Sequence, residues 1–227
     1  MKKIITLTGC AGSGKDTTAN YIIKNYDNWE KDSFAGTLKD AVSAIFGWDR
    51  KMLAGDTPED REIRETKDEY WSKKFGYDIT PRIILQKFGT ECLRNHLHED
   101  IWVNSLERKI INTDKNIIIT DCRFKNEIDM LRNLGATFIR VEKNPLPEWF
   151  KKVEEIGKYK KQGGLLDLYW QIDEIQKIHR SEWDWIGYDD PDFIINAESG
   201  DFEGMYKQID KIMNFIYYNE NKGVKND

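Results

Sequence analysis

From Gly9 to Thr18 the chain reads Gly-Cys-Ala-Gly-Ser-Gly-Lys-Asp-Thr-Thr, directly after the apolar run Ile4-Ile5-Thr6-Leu7 and directly before Ala19-Asn20-Tyr21-Ile22-Ile23. Strand, glycine loop and helix in that order make a cradle for polyphosphate. Gly12 and Gly14 can take backbone angles closed to other residues and turn main-chain N–H groups inward. The helix start adds its dipole and its unpaired donors, and Lys15 adds a full charge. The usual pattern places Ser or Thr directly after the Lys; here Asp16 stands there, and the hydroxyl comes one residue later at Thr17. A bare turn joining strand to helix has no use for a lysine behind spaced glycines.

A carboxylate follows at the end of a second apolar run, Asn116-Ile117-Ile118-Ile119-Thr120-Asp121. Such a run reads as a buried parallel strand, and ligands of open α/β sheets bind at the carboxyl edge where Asp121 would emerge. Asp121 could hold Mg²⁺ through water, with Arg123 in reach of an anion, or it could cap the helix starting near Asn126-Glu127. Arg82 and Gln86 sit four apart on one side of a helix that opens at Thr80-Pro81. They suit a phosphate and a base edge, or a bond to each other. Lys39 and Asp40 lie at a helix start, where a cation suggests a nearby anion or is simply solvated. His96 and His98 do not make a metal pair, because a helical spacing of two points the rings apart.

The elements that must position these groups alternate between strand and helix. Strands are expected at 4–7, 29–35, 116–121, 136–141 and 192–196, the pattern of an α/β protein with a parallel sheet. Leu38, Ala41, Val42 and Ile45 mark a helix, and residues 49–79 read as a solvated, ion-paired helical stretch. Gly89-Thr90-Glu91 is expected to interrupt before a further helix carrying Leu93, Leu97, Ile101, Trp102 and Leu106. Phe202 to Ile216 repeats at three and four, giving a closing helix. Residues 142–190 are too long for an ordinary crossover. With the basic run Lys151, Lys152, Lys158, Lys160 and Lys161, Gly163-Gly164, and an amphipathic stretch over 165–178, they suggest an inserted lid. Arg180 is the lone arginine after residue 140 and so the candidate lid guanidinium.

The 227 residues suit one domain, 1–227, with insertions, and 35 basic against 40 acidic residues give a net charge of −5. That balance argues against a nucleic-acid coat or membrane-surface binder. The apolar run after Lys2-Lys3 is too short for a secretory core and no later run spans a membrane, so a cytoplasmic protein is expected. Cys10, Cys92 and Cys122 form no CxxC pair, which fits free thiols in a reducing compartment.

The chain resembles the deoxynucleoside monophosphate kinases of tailed phages along most of its length. The pieces are Gly12-Ser13-Gly14-Lys15-Asp16-Thr17-Thr18-Ala19, Phe34-Ala35-Gly36-Thr37-Leu38-Lys39-Asp40, Asp60-Arg61-Glu62, Arg82 with Leu85-Gln86, Gly89-Thr90, Trp102, Asp121-Cys122-Arg123 with Glu127, His179-Arg180-Ser181-Glu182, and Asp192 to Asn196. The Gly-Lys-x-Thr form of the loop is shared with several nucleoside monophosphate kinases. The resemblance implies a three-layer P-loop fold on a five-stranded parallel sheet, an acceptor-binding helical region at about 37–108 and a lid-like insertion at about 143–190. It implies that Gly12, Ser13, Gly14, Lys15, Asp16, Thr17 and Thr18 bind ATP. Lys39, Asp40, Arg61, Arg82, Gln86, Gly89, Thr90, Trp102, Asp121, Arg123 and Glu127 would line the deoxynucleotide site. Lys15, Arg123 and Arg180 would act in transfer, and Thr17 and Asp121 would place Mg²⁺. Small-molecule substrates are then the partners, without nucleic acid or membrane; a homodimer is compatible, and the compartment is the host cytoplasm if a phage encodes the protein. Two departures are Thr37, where the family often has Pro, and Ala11-Gly12, where its loop carries basic residues. The second leaves Arg61, Arg82 and Arg123 to hold the acceptor phosphate.

The expected reaction moves the γ-phosphoryl of ATP to the 5′-phosphate of a deoxynucleoside monophosphate. It needs alignment and neutralisation of charge, and no general base, because the acceptor oxygen is already anionic. Rival readings are a kinase of another phosphorylated acceptor, of phosphomevalonate or dephospho-coenzyme A type, and a P-loop ATPase or nucleotide switch. A GTPase is disfavoured, since Asn221-Lys222-Gly223-Val224 lacks the final Asp of the guanine-reading motif.

Overall fold

The computed structural model describes residues 2–160, 175–178 and 180–223. The chain divides into two compact units, Met1–Asp32 with Asp114–Asp227, and Ser33–Thr113. The first unit carries five strands: β1 (Ile4–Thr8), β2 (Trp29–Asp32), β3 (Asn116–Ile119), β4 (Thr137–Lys143) and β5 (Phe193–Ala197). Their order is β2-β3-β1-β4-β5 and every pairing is parallel, as expected for an α/β fold. β1 and β3 are buried at every residue. Both faces of a parallel sheet are covered, which is why these strands read as continuous apolar runs and not as alternation.

The phosphate-loop strand β1 is central, and its register with β3 pairs Thr6 with Ile119. Asp121, two residues on, therefore leaves the sheet beside the residue that precedes the loop. Helices α1 (Lys15–Asn25) and α10 (Phe202–Gly223) contribute Ala19, Ile22, Met205, Ile209 and Met213 to a core shared with Ile5, Leu7, Ile118, Ile139, Val141 and Ile195. Each fully buried aliphatic side chain contributes about 1.5–3 kcal/mol relative to exposure. The stripe at three and four in α10 is this core. Helices α8 (Lys125–Asn133) and α9 (Glu148–Lys160) complete the unit with two short 3₁₀ turns, Ile175–Lys177 and Arg180–Glu182. The expected amphipathic stretch falls largely on residues 161–174, outside the described residues, as do Lys161, Gly163-Gly164 and His179.

The second unit is helical: α2 (Gly36–Phe46), α3 (Arg50–Ala54), α4 (Pro58–Glu65), α5 (Glu69–Phe75), α6 (Pro81–Gln86) and α7 (Ile101–Asn112). The stretch expected to be one solvated helix is three short ones. Each has an acceptor at its start: Asp49 takes the N–H groups of Lys51 and Met52, Thr57 that of Asp60, and Asp68 that of Trp71. Gly55 and Gly76 end α3 and α5 in left-handed conformation. The expected break at Gly89-Thr90-Glu91 is corrected: the backbone continues through it as a π-helix, Lys87–Arg94. Trp102 explains the wider turn in part, because its indole donates to the Gly89 carbonyl at 3.0 Å. It sits in this unit's core with Leu38, Val42, Leu53, Ile79 and Ile84.

Among the described residues no helix is long and apolar enough to cross a membrane.

Candidate active site

The loop after β1 is shaped by close approach. Gly9 has φ 141°, and a Cβ there would lie 2.3 Å from the Val141 carbonyl oxygen on β4. Gly14, with φ 105°, is the N-cap of α1 and supplies no side-chain cap. The first turn of α1 thus presents N–H groups that an anion can satisfy. Ser13 adds a buried hydroxyl with no hydrogen-bond partner among the described residues.

Lys15 folds back over its own loop, donating from Nζ to the carbonyls of Gly9 at 2.7 Å and Cys10 at 2.8 Å. Burial, and then the positive charge of Arg123, bring its ammonium down to about 8. Cys10 beside it is driven the other way by burial, up to about 11, and is no thiolate at neutral pH. Asp16 bonds Lys31 of β2 at 2.7 Å. Desolvation raises its carboxyl, but the hydrogen bond and charge of Lys31, with Lys15 and a hydrogen bond from Thr120, outweigh this and hold it below the usual range. Asp16 therefore ties the first turn of α1 to the ends of β2 and β3. Thr17 is half-buried. Thr18 is buried, its hydroxyl against Met205 Sδ at 4.0 Å and its N–H on the Gly14 carbonyl, so it serves the helix.

Asp121 and Arg123 leave β3 at the same edge. The turn into the helix that follows is closed by Glu127, whose buried carboxylate accepts the N–H groups of Arg123 at 2.7 Å and Phe124 at 3.1 Å. Glu127 thus fixes the backbone that carries Arg123. The Arg123 guanidinium donates through Nη1 to Glu182 at 2.7 Å and to the Ser181 carbonyl at 3.3 Å. Arg180 lies in the adjoining 3₁₀ turn.

A buried cluster below this edge escaped the sequence. Arg140 of β4 makes a two-pronged bond to Asp189, at 2.8 Å through Nε and 2.7 Å through Nη2, and Nη1 donates to Glu154 of α9 at 2.6 Å. The Thr8 hydroxyl donates to the same Asp189 at 2.9 Å. One carboxylate thereby joins β1 at the loop's root, β4 and the segment after Glu182. A cleft of about 240 Å³ runs from Gly9, Cys10 and Ala11 along Arg140 to Pro147. It shares Asn144, Pro145 and Leu146 with a more open one reaching Lys151, Glu198 and Ser199.

In the second unit, Arg64 lies close enough to Arg82 and Arg61 to feel both charges, and burial followed by Arg82 depresses its basicity. Arg61 donates to the Gly55 carbonyl at 2.9 Å, Arg64 reaches the Leu53 and Ala54 carbonyls at 3.4 Å, and Arg82 meets Glu65 only at 3.9 Å. Arg64 Nε is buried with no hydrogen-bond partner among the described residues. The sequence reading passed over Arg64; its spacing of three from Arg61 on one helix was the available signal. Arg82 and Gln86 are both exposed and do not bond to each other. Asp40 is drawn to Arg50 at 2.6 Å and Lys109 at 3.5 Å. Lys39 is half-buried beside it, and Gly89 packs against Leu38. Trp102 lies inside the core, so it shapes the Gly89 turn from behind. His96 and His98 are taken by the Glu91 carbonyl and the Asp100 N–H.

The sequence profile of the deoxynucleotide monophosphate kinase family matches residues 50–165. A protein of Acanthamoeba polyphaga mimivirus that carries the same family name is 33% identical over 154 residues, covering 62% of this chain and 74% of its own. This chain belongs to the deoxynucleotide monophosphate kinase family. The deoxynucleoside-5′-monophosphate kinase of Escherichia phage T5 is 28% identical over 187 residues, covering 58% of this chain and 72% of its own. Among solved structures, dephospho-CoA kinase from Campylobacter jejuni aligns at 16% identity and TM-score 0.44, covering 95% of this chain and 97% of its own. Shikimate kinase from Acinetobacter baumannii in complex with shikimate aligns at 14% and 0.43, covering 96% and 95%. The family profile begins beyond the phosphate loop, so the loop is an observation independent of the profile. As a deoxynucleotide monophosphate kinase the chain takes its phosphoryl group from ATP.

Proposed function

We propose that the chain phosphorylates deoxynucleoside monophosphates to diphosphates with its parts assigned as follows. The triphosphate of ATP lies in the loop Gly12–Thr18, its oxygens taken by the first-turn N–H groups of α1, and Lys15 leaves the Gly9 and Cys10 carbonyls to bridge β- and γ-oxygens. The nucleoside of ATP follows the clefts along Asn144–Leu146 towards Ser199. The acceptor phosphate is held by Arg61 and Arg82, with Arg64 behind them, and by Arg123. Lys39, Asp40, Gln86, Gly89 and Thr90 serve the nucleoside side, with Trp102 supporting them. The helical unit Ser33–Thr113 contains the acceptor-binding region, the insertion 143–190 covers the reaction, and Arg180 is its guanidinium.

Thr17 and Asp121 fit Mg²⁺: both are oxygen donors at the loop edge, and an ion arriving with a nucleotide needs only one or two protein ligands. When bound, it neutralises charge developing on the transferred group. The chain's own residues align the acceptor oxygen, screen the phosphates and exclude water, which would otherwise compete as acceptor. The free thiols of Cys10, Cys92 and Cys122 and the likeness to a phage enzyme support a site of action in the host cytoplasm.

The observation that carries the acceptor reading is the group of three arginines, with an Nε of Arg64 that is buried and unpartnered among the described residues, set in the family's own matched segment. Replacing Arg82 by Ala raises the KM for a deoxynucleoside monophosphate about 10- to 100-fold while the KM for ATP stays within about twofold, as expected for loss of a charge-assisted contact. An unchanged acceptor KM refutes the placement. Sedimentation at working concentration decides between monomer and homodimer.

A further inference from the structure

Arg123 is held at both ends. Its backbone N–H is fixed by Glu127, and its Nη1 by Glu182, a residue 59 positions further along the chain. Nε and Nη2 make no hydrogen bond to a described residue, so the grip of Glu182 leaves one edge of the guanidinium facing away. Single-point attachment of this kind sets the direction of the planar donor fork without using it up.

Exposed ion pairs contribute little, about 0–1 kcal/mol, because both side chains wander. Glu182 is different, since the segment carrying it is anchored along its length. Trp185, 1% exposed, donates its indole N–H to the Glu182 carbonyl at 3.0 Å. Its ring packs with Phe150 and beneath the Arg140 guanidinium. Asp189 then fastens the segment to Arg140 and Thr8, and Arg132 donates to the carbonyls of Asp189 and Asp190. A continuous chain of contacts, buried at Asp189 and part-buried at Glu182, thus runs from the residue before the phosphate loop to the carboxylate that holds Arg123.

We propose that Glu182 is a positioning residue for phosphoryl transfer, aiming the free edge of Arg123 at the phosphate it serves through a register set by Asp189 against the root of the phosphate loop. This rests on the assignment of Arg123 to the reacting phosphates. Glu182 itself touches no substrate; misdirection of a phosphate ligand by about 1 Å is enough to cost about 100-fold in turnover.

The test is a double-mutant cycle on the full chain, measured by coupled ADP release with a deoxynucleoside monophosphate as acceptor. Glu182→Ala should lower kcat about 10- to 100-fold with the KM for ATP within about twofold. Glu182→Gln, which keeps an acceptor oxygen, should recover part of the loss. Arg123→Ala should fall at least as far, and the double variant no further than Arg123→Ala alone, because the positioning effect of Glu182 passes through that guanidinium. Thermal unfolding checks that each variant folds, and Glu182→Gln carries the test if Glu182→Ala does not. A native kcat in Glu182→Ala beside an impaired Arg123→Ala overturns the proposal alone, as does a double variant whose loss is the product of the two. A native kcat in Arg123→Ala overturns the Arg123 assignment and the proposal with it.

Discussion

Lys15 waits with its charge on two loop carbonyls and its basicity reduced to about 8 by burial and by Arg123. Glu182, Cys10 and Asp16 pull the other way and do not restore it. Bound polyphosphate favours the protonated amine, so its basicity in the complex lies above that of the free protein. Affinity for ATP is then full below pH 8 and falls as pH rises through about 8, where the free protein loses the charge that the complex keeps. Calorimetric titration with ATP at pH 7 and pH 9 checks this: weaker binding with proton uptake at pH 9 is expected, and a flat profile speaks against it. Lys15→Ala should lower kcat at least about 100-fold, the scale of losing one electrostatic stabiliser of a transition state, with an unchanged unfolding midpoint. Arg140 presents the opposite case, a buried charge with a structural partner. Arg140→Met strands the fully buried Asp189 and should cost about 3–5 kcal/mol in chemical denaturation; Lys125→Met, at an exposed pair, should cost within about 1 kcal/mol.

Elements differ in how openly the sequence announces them. Strands β1 and β3 were legible because short apolar runs, Ile4-Ile5-Thr6-Leu7 before a glycine loop and Ile117-Ile118-Ile119 before a carboxylate, have no other economical reading. The loop itself was legible down to the hydroxyl displaced to Thr17. The π-helix over Lys87–Arg94 was not, since Gly89 signals a break wherever no tertiary partner is known, and its partner is the indole of Trp102. The turn into α8 was only half legible: Glu127 was in view, but nothing in its spacing showed that its buried carboxylate accepts the N–H groups of Arg123 and Phe124. Glu127→Ala leaves the N–H groups of Arg123 and Phe124 without that acceptor and should destabilise the protein by about 1–3 kcal/mol, read in the same denaturation experiment. Because those amides carry the backbone of Arg123, the variant should also lose turnover. Full activity at reduced stability would separate the turn from the chemistry.

For the whole molecule, the parallel sense of the sheet followed from the alternation of elements, and the family followed from motifs in sequence order; the strand order did not. The charge network did not. Arg140 and Asp189 are 49 residues apart, and Arg123 and Glu182 are 59 apart. Nothing in spacing or composition selects one carboxylate among 40 acidic residues for either guanidinium; only the fold brings them together. The arginines of the helical unit were legible as cations, but their convergence on one another, with Arg64 among them, required the packing of α3, α4 and α6. These features converge on one activity, which is measured most directly by coupled ADP release with ATP and each of the four deoxynucleoside monophosphates in turn, their ribose counterparts and dephospho-coenzyme A as controls. The account predicts ADP release that depends on a deoxynucleoside monophosphate and yields its diphosphate in equal amount. ADP release at the same rate without any acceptor, or with dephospho-coenzyme A alone, would contradict it.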